Sequence, residues 1–166
     1  MHRNVKPELH QFEQAREYTR AVNAVKLDRI FAKPFVGALS GHADGVYCLA
    51  KHPRQLTCVV SGSADGEVRV WNLGSRECVW KAGAHKGFVR GVSVTSAGDG
   101  ILSVGDDKCI RLWSMDYDNR NWTDPVDNEP EAVFMGKASY NAVDYHQKNE
   151  WFCTASNAVD VWDVNR

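Results

Sequence analysis

An all-β fold made of successive antiparallel sheets is the architecture that the sequence predicts. Residues 61–72 and 103–114 share one pattern, in which Ser, Gly and Asp precede apolar–Arg–apolar–Trp, and their tryptophans are 42 residues apart. A less complete third copy ends at Trp162. A histidine precedes each of the first two copies, and these histidines are 43 residues apart. Repeats of about 40–45 residues with Gly-His and Trp-Asp marks are typical of β-propeller blades.

Residues 1–34 are predicted to form an N-terminal extension that is partly helical. Apolar residues recur at three- and four-residue steps through 11–31, which places them on one face of a helix: Phe12, Ala15, Tyr18, Val22 and Val25. Pro34 predicts the end of the helix, because the residue before a proline disfavours helical geometry. Two roles remain open for the apolar face: packing on the side of the propeller, or docking to a partner.

Residues 35–166 are predicted to form an incomplete β-propeller of about three four-stranded blades, at about 40–82, 84–135 and 137–166. The Asp65-Gly66 pair indicates a hairpin, because both residues tolerate positive φ. A long polar loop is predicted at 115–130. The predicted strands are 35–39, 45–50, 57–61, 67–72, 77–81, 88–94, 101–104, 109–114, 132–135, 141–145, 151–154 and 159–164.

A histidine, a serine, an aspartate and a tryptophan recur together in the first two repeats. The two structural tetrads are His42, Ser61, Asp65 and Trp71, and His85, Ser103, Asp107 and Trp113. We interpret each as a buried hydrogen-bonded chain running from carboxylate to imidazole to hydroxyl to indole N–H, in which every buried polar group has a partner. The third repeat has Lys137 and Asn157 instead of histidine and aspartate, so we expect packing alone to hold it.

A catalytic triad and a metal site are two other interpretations of histidines and their neighbours in these repeats, and both are weaker than the structural interpretation. A Ser–His–Asp triad would need an exposed nucleophile, but the serines lie within predicted strands and lack the flanking glycines of a nucleophile elbow. A metal site at His42, Cys48 and His52 would have a spacing that matches no familiar zinc pattern. We therefore expect no catalytic residue, no metal and no cofactor.

Composition narrows the classes of partner. The net charge of −1 offers no overall basis for binding nucleic acid or membranes, although residues 1–35 carry seven Lys or Arg against four Asp or Glu. The five cysteines form no C-x-x-C pair, which favours reduced thiols in an intracellular protein. Apolar runs are far too short to span a membrane, and the N-terminus lacks the apolar core of a signal peptide.

Partner binding is expected at the rim of the propeller, where loops and strand ends are open. Alternation along the inner strands directs some side chains toward the mouth of the channel, and Tyr, Phe and Arg are types common at binding hot spots. The candidates on the rim are Tyr47, Phe88, Arg90, Asp106 and Asn141. The candidates on the basic N-terminal extension are Arg16, Tyr18, Arg20 and Lys33.

Several longer stretches resemble one family more closely than the repeats alone do. They are Arg16-Glu-Tyr18, Arg20-Ala-Val-Asn23-Ala, Phe31-Ala-Lys-Pro-Phe35, Leu49-Ala-Lys-His-Pro53 and Gly66-Glu-Val-Arg-Val-Trp71. With the blade motifs, they resemble the suppressor-of-fibrillarin WD40 family, described in animals also as a DDB- and cullin-associated factor. That family has a seven-bladed ring, so the resemblance implies that this chain corresponds to the N-terminal portion, an open arc of about three blades.

The resemblance also implies a function. It implies a non-catalytic scaffold of the small-subunit processome in the nucleolus, which acts in 18S rRNA maturation with processome proteins, the box C/D snoRNP and pre-rRNA. It implies no membrane partner and no small-molecule substrate. The alternative is a substrate-recognition adaptor of a cullin–RING ubiquitin ligase. The motif expected for that role is Trp-Asp-x-Arg, whereas Trp162-Asp163-Val164-Asn165-Arg166 has one residue more.

Overall fold

The structure, a computed structural model, describes residues 12–32, 35–115 and 129–164. The chain divides after Gly37 into an N-terminal unit and a unit of β-sheets. Several predictions fall outside the described residues: Lys33, Pro34, most of the loop at 115–130, and Asn165 with Arg166.

The N-terminal unit contains one described helix, α1, at Glu13–Phe31. Phe12 precedes it in a left-handed conformation with φ 62°, and the N–H of Ala32 closes its last turn on Asp28 O at 2.7 Å. Tyr18 and Val25 of the predicted apolar face are exposed. Leu27 is also exposed and lies about 200° around the helix from Val25, because successive residues are about 100° apart. The helix therefore has no single continuous apolar stripe.

The second unit consists of three antiparallel sheets, each arranged in chain order, which confirms the all-β prediction. Sheet 1 contains β1 Val46–Lys51, β2 Cys58–Ser63, β3 Glu67–Asn72 and β4 Glu77–Gly83. Sheet 2 contains β5 Val89–Val94, β6 Gly100–Gly105, β7 Cys109–Ser114 and β8 Ala132–Met135. Sheet 3 contains β9 Ala142–Tyr145, β10 Trp151–Ala155 and β11 Val159–Asp163. The first strands of the sheets, β1, β5 and β9, lie side by side in that order.

One detail of the predicted strands was wrong. Residues 35–39 form no strand, because they pair with no other strand in the described part of the chain and an isolated strand leaves its backbone groups unpaired. Sheet 3 has three strands among the described residues, which correspond to the three strands predicted for this repeat. The other strands lie within two residues of their predicted bounds.

Two apolar layers hold the sheets together, one on each face of sheet 2. Ile101 and Trp113 pack toward sheet 1, whereas Leu102 and Ile110 pack toward sheet 3. This alternation follows from the two-residue period of a strand. All six residues of β6 are buried, because sheet 2 is covered on both faces.

Backbone and side-chain contacts at the strand ends join sheet 1 to sheet 2. Gly66, at φ 85° in the hairpin between β2 and β3, accepts the N–H groups of Ala84 and His85 at 2.8 and 3.0 Å. At the opposite end, buried His52 lies 2.9 Å from Gly98 O through Nε2. The Nδ1 atom of His52 accepts the Gln55 N–H at 2.8 Å, so Nε2 carries the proton that is donated to Gly98.

Candidate functional site

The tetrad of sheet 1 is hydrogen-bonded from Trp71 through Ser61 to His42, whereas buried His42 Nδ1 approaches Asp65 without making a hydrogen bond. Ser61 Oγ lies 2.7 Å from Trp71 Nε1 and 2.7 Å from His42 Nε2, and His42 Nδ1 lies 3.4 Å from Asp65 Oδ2. The indole N–H donates to the serine oxygen, so the serine hydroxyl is free to donate to the imidazole. Asp65 also accepts the backbone N–H of Ala43 at 2.9 Å.

Burial raises the pKa of Asp65, but the N–H groups of Glu67 and Ala43 outweigh that effect and hold the pKa below its ordinary value. The Asp65 carboxylate therefore stays ionised and fixes the start of β3.

The tetrad of sheet 2 repeats this arrangement with a closer contact between histidine and aspartate. Ser103 Oγ lies 2.9 Å from both Trp113 Nε1 and His85 Nε2, and His85 Nδ1 lies 2.7 Å from Asp107 Oδ1. Arg111 Nη1 donates to Asp107 Oδ2 at 2.8 Å. It also lies 2.7 Å from His85 Nδ1, but a neutral imidazole whose Nδ1 proton is donated to Asp107 cannot accept there.

These contacts shift two pKa values in sheet 2. Burial raises the pKa of Asp107, but the hydrogen bonds from Arg111 and His85 outweigh it and lower the pKa to about 2. Burial lowers the pKa of His85 below its ordinary value, and the nearby Arg111 guanidinium acts in the same direction. Both shifts favour a neutral imidazole beside an ionised carboxylate.

The arginine two residues before each of Trp71 and Trp113 pairs with a nearby carboxylate, a contact that the sequence analysis did not predict. Arg111 contacts Asp107, whereas Arg69 donates to Glu67 Oε2 from Nε and Nη2 at 3.0 and 2.6 Å. Sheet 2 has Cys109 at the position of Glu67, so its arginine pairs with the tetrad aspartate. The recurring apolar–Arg–apolar–Trp pattern was the available signal.

Sheet 3 keeps part of the tetrad, and the prediction that packing alone holds it was wrong. Trp162 Nε1 donates to Thr154 Oγ1 at 2.8 Å. Thr154 takes the place of the tetrad serine, although it is eight residues before its tryptophan instead of ten. The threonine hydroxyl therefore satisfies the indole, and it does so without the histidine and aspartate of the other two sheets.

The tetrads do not have the access that a catalytic triad requires. The Ser61 and Ser103 side chains belong to residues that are 2% and 0% exposed. Each Oγ already contacts both an indole and an imidazole nitrogen. No space remains beside these hydroxyls for a substrate, so the geometry suits internal support of the blades.

Four of the predicted partner-binding residues come together at the junction between sheets 1 and 2. We call Tyr47, Phe88, Arg90 and Asp106 the docking platform. The Tyr47 and Phe88 rings meet edge to face with centroids 5.6 Å apart, and Arg90 Cζ lies 4.9 Å from the Phe88 centroid. The Asp106 carboxylate accepts one hydrogen bond from Arg90 Nε at 2.8 Å and another from Arg90 Nη2 at 3.0 Å.

Within the unit of β-sheets, the remaining predicted partner-binding residue, Asn141, lies apart from the docking platform. Asn141 precedes β9 and donates its backbone N–H to Ala155 O at 2.7 Å, and no described contact joins it to the platform. Arg16, Tyr18 and Arg20 are exposed on α1.

The described residues contain one group with the composition of a metal site. His42, Asp65 and Glu67 place one ligand atom each within 4.8 Å of one another. Glu67 is paired with Arg69, whose positive charge disfavours a cation at that position. Among the described residues, no helix combines the length and apolarity needed to cross a membrane.

Comparison with known proteins agrees with the fold. The WD domain, G-beta repeat model matches residues 33–72 and 76–114. The crystal structure of the RRP9 WD40 repeats superposes with a TM-score of 0.65 at 18% identity, covering 76% of this chain and 38% of that one. The structure of U3-55K gives a TM-score of 0.66 at 18% identity with the same coverage. The chain therefore has a WD40 fold, built from successive blades of a β-propeller.

Sequence comparison finds relatives that are similar to nearly the whole of this chain. DDB1- and CUL4-associated factor 13 is 49% identical in Homo sapiens and 48% identical in Gallus gallus, over 99% of this chain and 36% of each relative. Protein SOF1 of Saccharomyces cerevisiae is 44% identical over 100% of this chain and 38% of its own length. The chain is homologous to these proteins, and the resemblance to the suppressor-of-fibrillarin WD40 family is confirmed. It spans a little over a third of their length.

Proposed function

We propose that this chain is part of a non-catalytic WD40 scaffold in ribosome biogenesis. It would act in the small-subunit processome with the box C/D snoRNP, during 18S rRNA maturation in the nucleolus. The observation that carries the proposal is the 44% identity to Protein SOF1 across the whole chain. The inaccessible tetrad serines support the absence of catalysis, because a nucleophile must reach its substrate.

The experiment is to express the tagged chain in cells and to follow its position and its RNA. Nucleolar signal and co-sedimentation with a box C/D snoRNA are the expected results. A Ser103→Ala variant, which disrupts a blade from inside, serves as the control for dependence on the fold. Uniform cytoplasmic distribution without snoRNA would reject the proposal.

The second candidate function is a substrate-recognition adaptor of a cullin–RING ubiquitin ligase. The name of the animal relatives, DDB1- and CUL4-associated factor 13, favours it at 48–49% identity. The extra residue in the 162–166 segment counts against it, because the Arg in the expected motif would be displaced by one position. Co-purification of the chain with DDB1 and CUL4, lost in Arg166→Ala, would support the adaptor role. Purified complexes that contain snoRNA and lack CUL4 would remove it.

A further inference from the structure

The two tetrads differ at the contact between histidine and aspartate. His85 Nδ1 lies 2.7 Å from Asp107 Oδ1, whereas His42 Nδ1 lies 3.4 Å from Asp65 Oδ2. Among the described residues, His42 Nδ1 is a buried side-chain atom without a hydrogen-bond partner, and the His42 side chain is 5% exposed. A buried polar atom of this kind lowers stability unless a partner satisfies it. The first tetrad therefore contains an unsatisfied nitrogen that faces a carboxylate.

Sheet 1 places a second carboxylate beside this nitrogen. His42, Asp65 and Glu67 each offer one ligand atom, and these atoms lie within 4.8 Å of one another. Atoms that bind Zn²⁺ in tetrahedral geometry at about 2.0–2.2 Å are about 3.3–3.6 Å apart. The 3.4 Å between His42 Nδ1 and Asp65 Oδ2 already matches that separation. Sheet 2 offers no equivalent, because Cys109 replaces the glutamate and Arg111 pairs with the tetrad aspartate.

We propose that His42, Asp65 and Glu67 form a Zn²⁺ site that completes the first tetrad. His42 Nδ1 and one oxygen of each carboxylate bind the ion, and a water molecule supplies the fourth ligand. An imidazole ligand favours a transition metal over Ca²⁺ or Mg²⁺, which prefer oxygen ligands. The Glu67 side chain is 36% exposed, so the ion can enter from that side. This inference does not depend on the proposed scaffold function.

Neighbouring groups already orient the ligands. His42 Nε2 lies 2.7 Å from Ser61 Oγ, and this hydroxyl oxygen can accept the Nε2 proton when Nδ1 binds the ion. Asp65 accepts the backbone N–H groups of Ala43 and Glu67 at 2.9 and 2.8 Å. Outer contacts of this kind fix the tautomer of a metal-binding histidine and the orientation of a metal-binding carboxylate.

Arg69 is the neighbouring group that opposes a cation at this site. Its Nε and Nη2 atoms both donate to Glu67 Oε2, at 3.0 and 2.6 Å, so Glu67 Oε1 is left to bind the ion. The two carboxylates also carry more negative charge than one guanidinium cancels, so the site still attracts a cation. Arg69 therefore lowers the affinity for Zn²⁺ without excluding the ion.

The test follows the melting temperature of the whole chain, first treated with EDTA, as ZnCl₂ is added. An ion that binds only the folded state raises the melting temperature. Glu67→Gln keeps the side-chain shape and should weaken Zn²⁺ binding about tenfold or more, because even outer contacts of metal sites are typically worth about 10–100-fold. Glu77→Gln is the matched control, because Glu77 is an exposed carboxylate on the same sheet, and it should respond to Zn²⁺ like the wild type. Each variant is compared with its own metal-free melting temperature, which corrects for the lost contact with Arg69.

Two further measurements on the wild type identify the ligands and the ion. In nitrogen-15 NMR of the imidazoles, Zn²⁺ should shift the His42 Nδ1 signal while Nε2 keeps its proton. MgCl₂ and CaCl₂ at the same concentration should leave the melting temperature unchanged. A response to Zn²⁺ that survives Glu67→Gln would assign the ion to other thiols or histidines and overturn the proposal. An equal response to Mg²⁺, or no response to Zn²⁺, would also overturn it.

Discussion

Removal of the Ser103 hydroxyl should measure how much a tetrad stabilises its blade. Ser103 is 0% exposed, and Ser103→Ala leaves both Trp113 Nε1 and His85 Nε2 without their partner. Trp113 is 2% exposed, so water cannot easily replace the hydroxyl. Each buried polar group left unpaired costs about 1–3 kcal/mol, so for the two groups we expect a loss of about 2–6 kcal/mol in the free energy of unfolding.

Sheet 3 supplies a matched comparison within the same chain. Thr154→Val removes one acceptor without a large change in shape, and the affected Trp162 is partly exposed, so water can satisfy its indole. The expected cost is about 0.5–1.5 kcal/mol, the net value of one hydrogen bond. Urea denaturation followed by far-UV circular dichroism measures both variants against the wild type.

A double-mutant cycle with Trp113→Phe separates the hydrogen bond from the change in packing. Ser103→Ala and Trp113→Phe remove the two ends of one bond, so together they should cost about 1 kcal/mol less than the sum of their separate effects. Additive costs, or a Ser103→Ala variant that is no less stable than Thr154→Val, would contradict the tetrad interpretation.

Three other properties follow from particular contacts. The pKa of Asp107 is lowered to about 2, so its stabilising contribution is complete above about pH 4 and is lost as the pH falls through about 2. In the Asp107→Asn variant, the melting temperature should therefore change less with pH between about 4 and 2 than in the wild type. Gly98→Ala should lower the free energy of unfolding by about 1–3 kcal/mol in urea denaturation, because Gly98 has φ 83° and an added Cβ would meet the His52 ring at 2.5–2.6 Å. Burial raises the pKa of the Cys48 thiol to about 11, so mass spectrometry should find that iodoacetamide alkylates it far more slowly than the exposed Cys153.

Much of the fold could be predicted because each sheet repeats a local pattern. The bounds of β3 and β7 agree with the prediction because a hairpin turn precedes each and apolar residues alternate within them, and those of β8 agree because it is a short apolar run. The prediction of a strand at 35–39 was wrong because strand formation depends on more than the local sequence. Its apolar composition suits a strand, but a strand also needs a neighbour for its backbone groups, and the local sequence does not show whether one is present.

The tetrads and the docking platform were predictable to different degrees. Ser61 and Trp71 were foreseen because a buried indole has one donor and needs one acceptor. The partners of Arg69 and Arg111 were not foreseen. Arg69 pairs with Glu67, whereas Arg111 pairs with Asp107 because sheet 2 has no glutamate at the position of Glu67. The two β-bulges, which leave Tyr47 of β1 and Arg90 of β5 without a partner in the ladder, also could not be predicted from the sequence. A strand with strict alternation would not leave Tyr47 unpaired, and only the register with β2 shows it.

The unequal burial of the three sheets explains how one chain can combine rigid support with open binding surface. Sheet 2 is packed on both faces, so its polar groups must be satisfied internally, and it has the most tightly connected tetrad. In β11 of sheet 3, Val159 and Val161 are exposed. That sheet lacks the histidine and the aspartate of the tetrad. The docking platform lies where the firmly held sheet 2 meets sheet 1, so three of its four residues are positioned by the best-packed sheet. Phe88, Arg90 and Asp106 therefore gain their order from the core of sheet 2, which is the physical basis for the prediction that a partner binds at this surface.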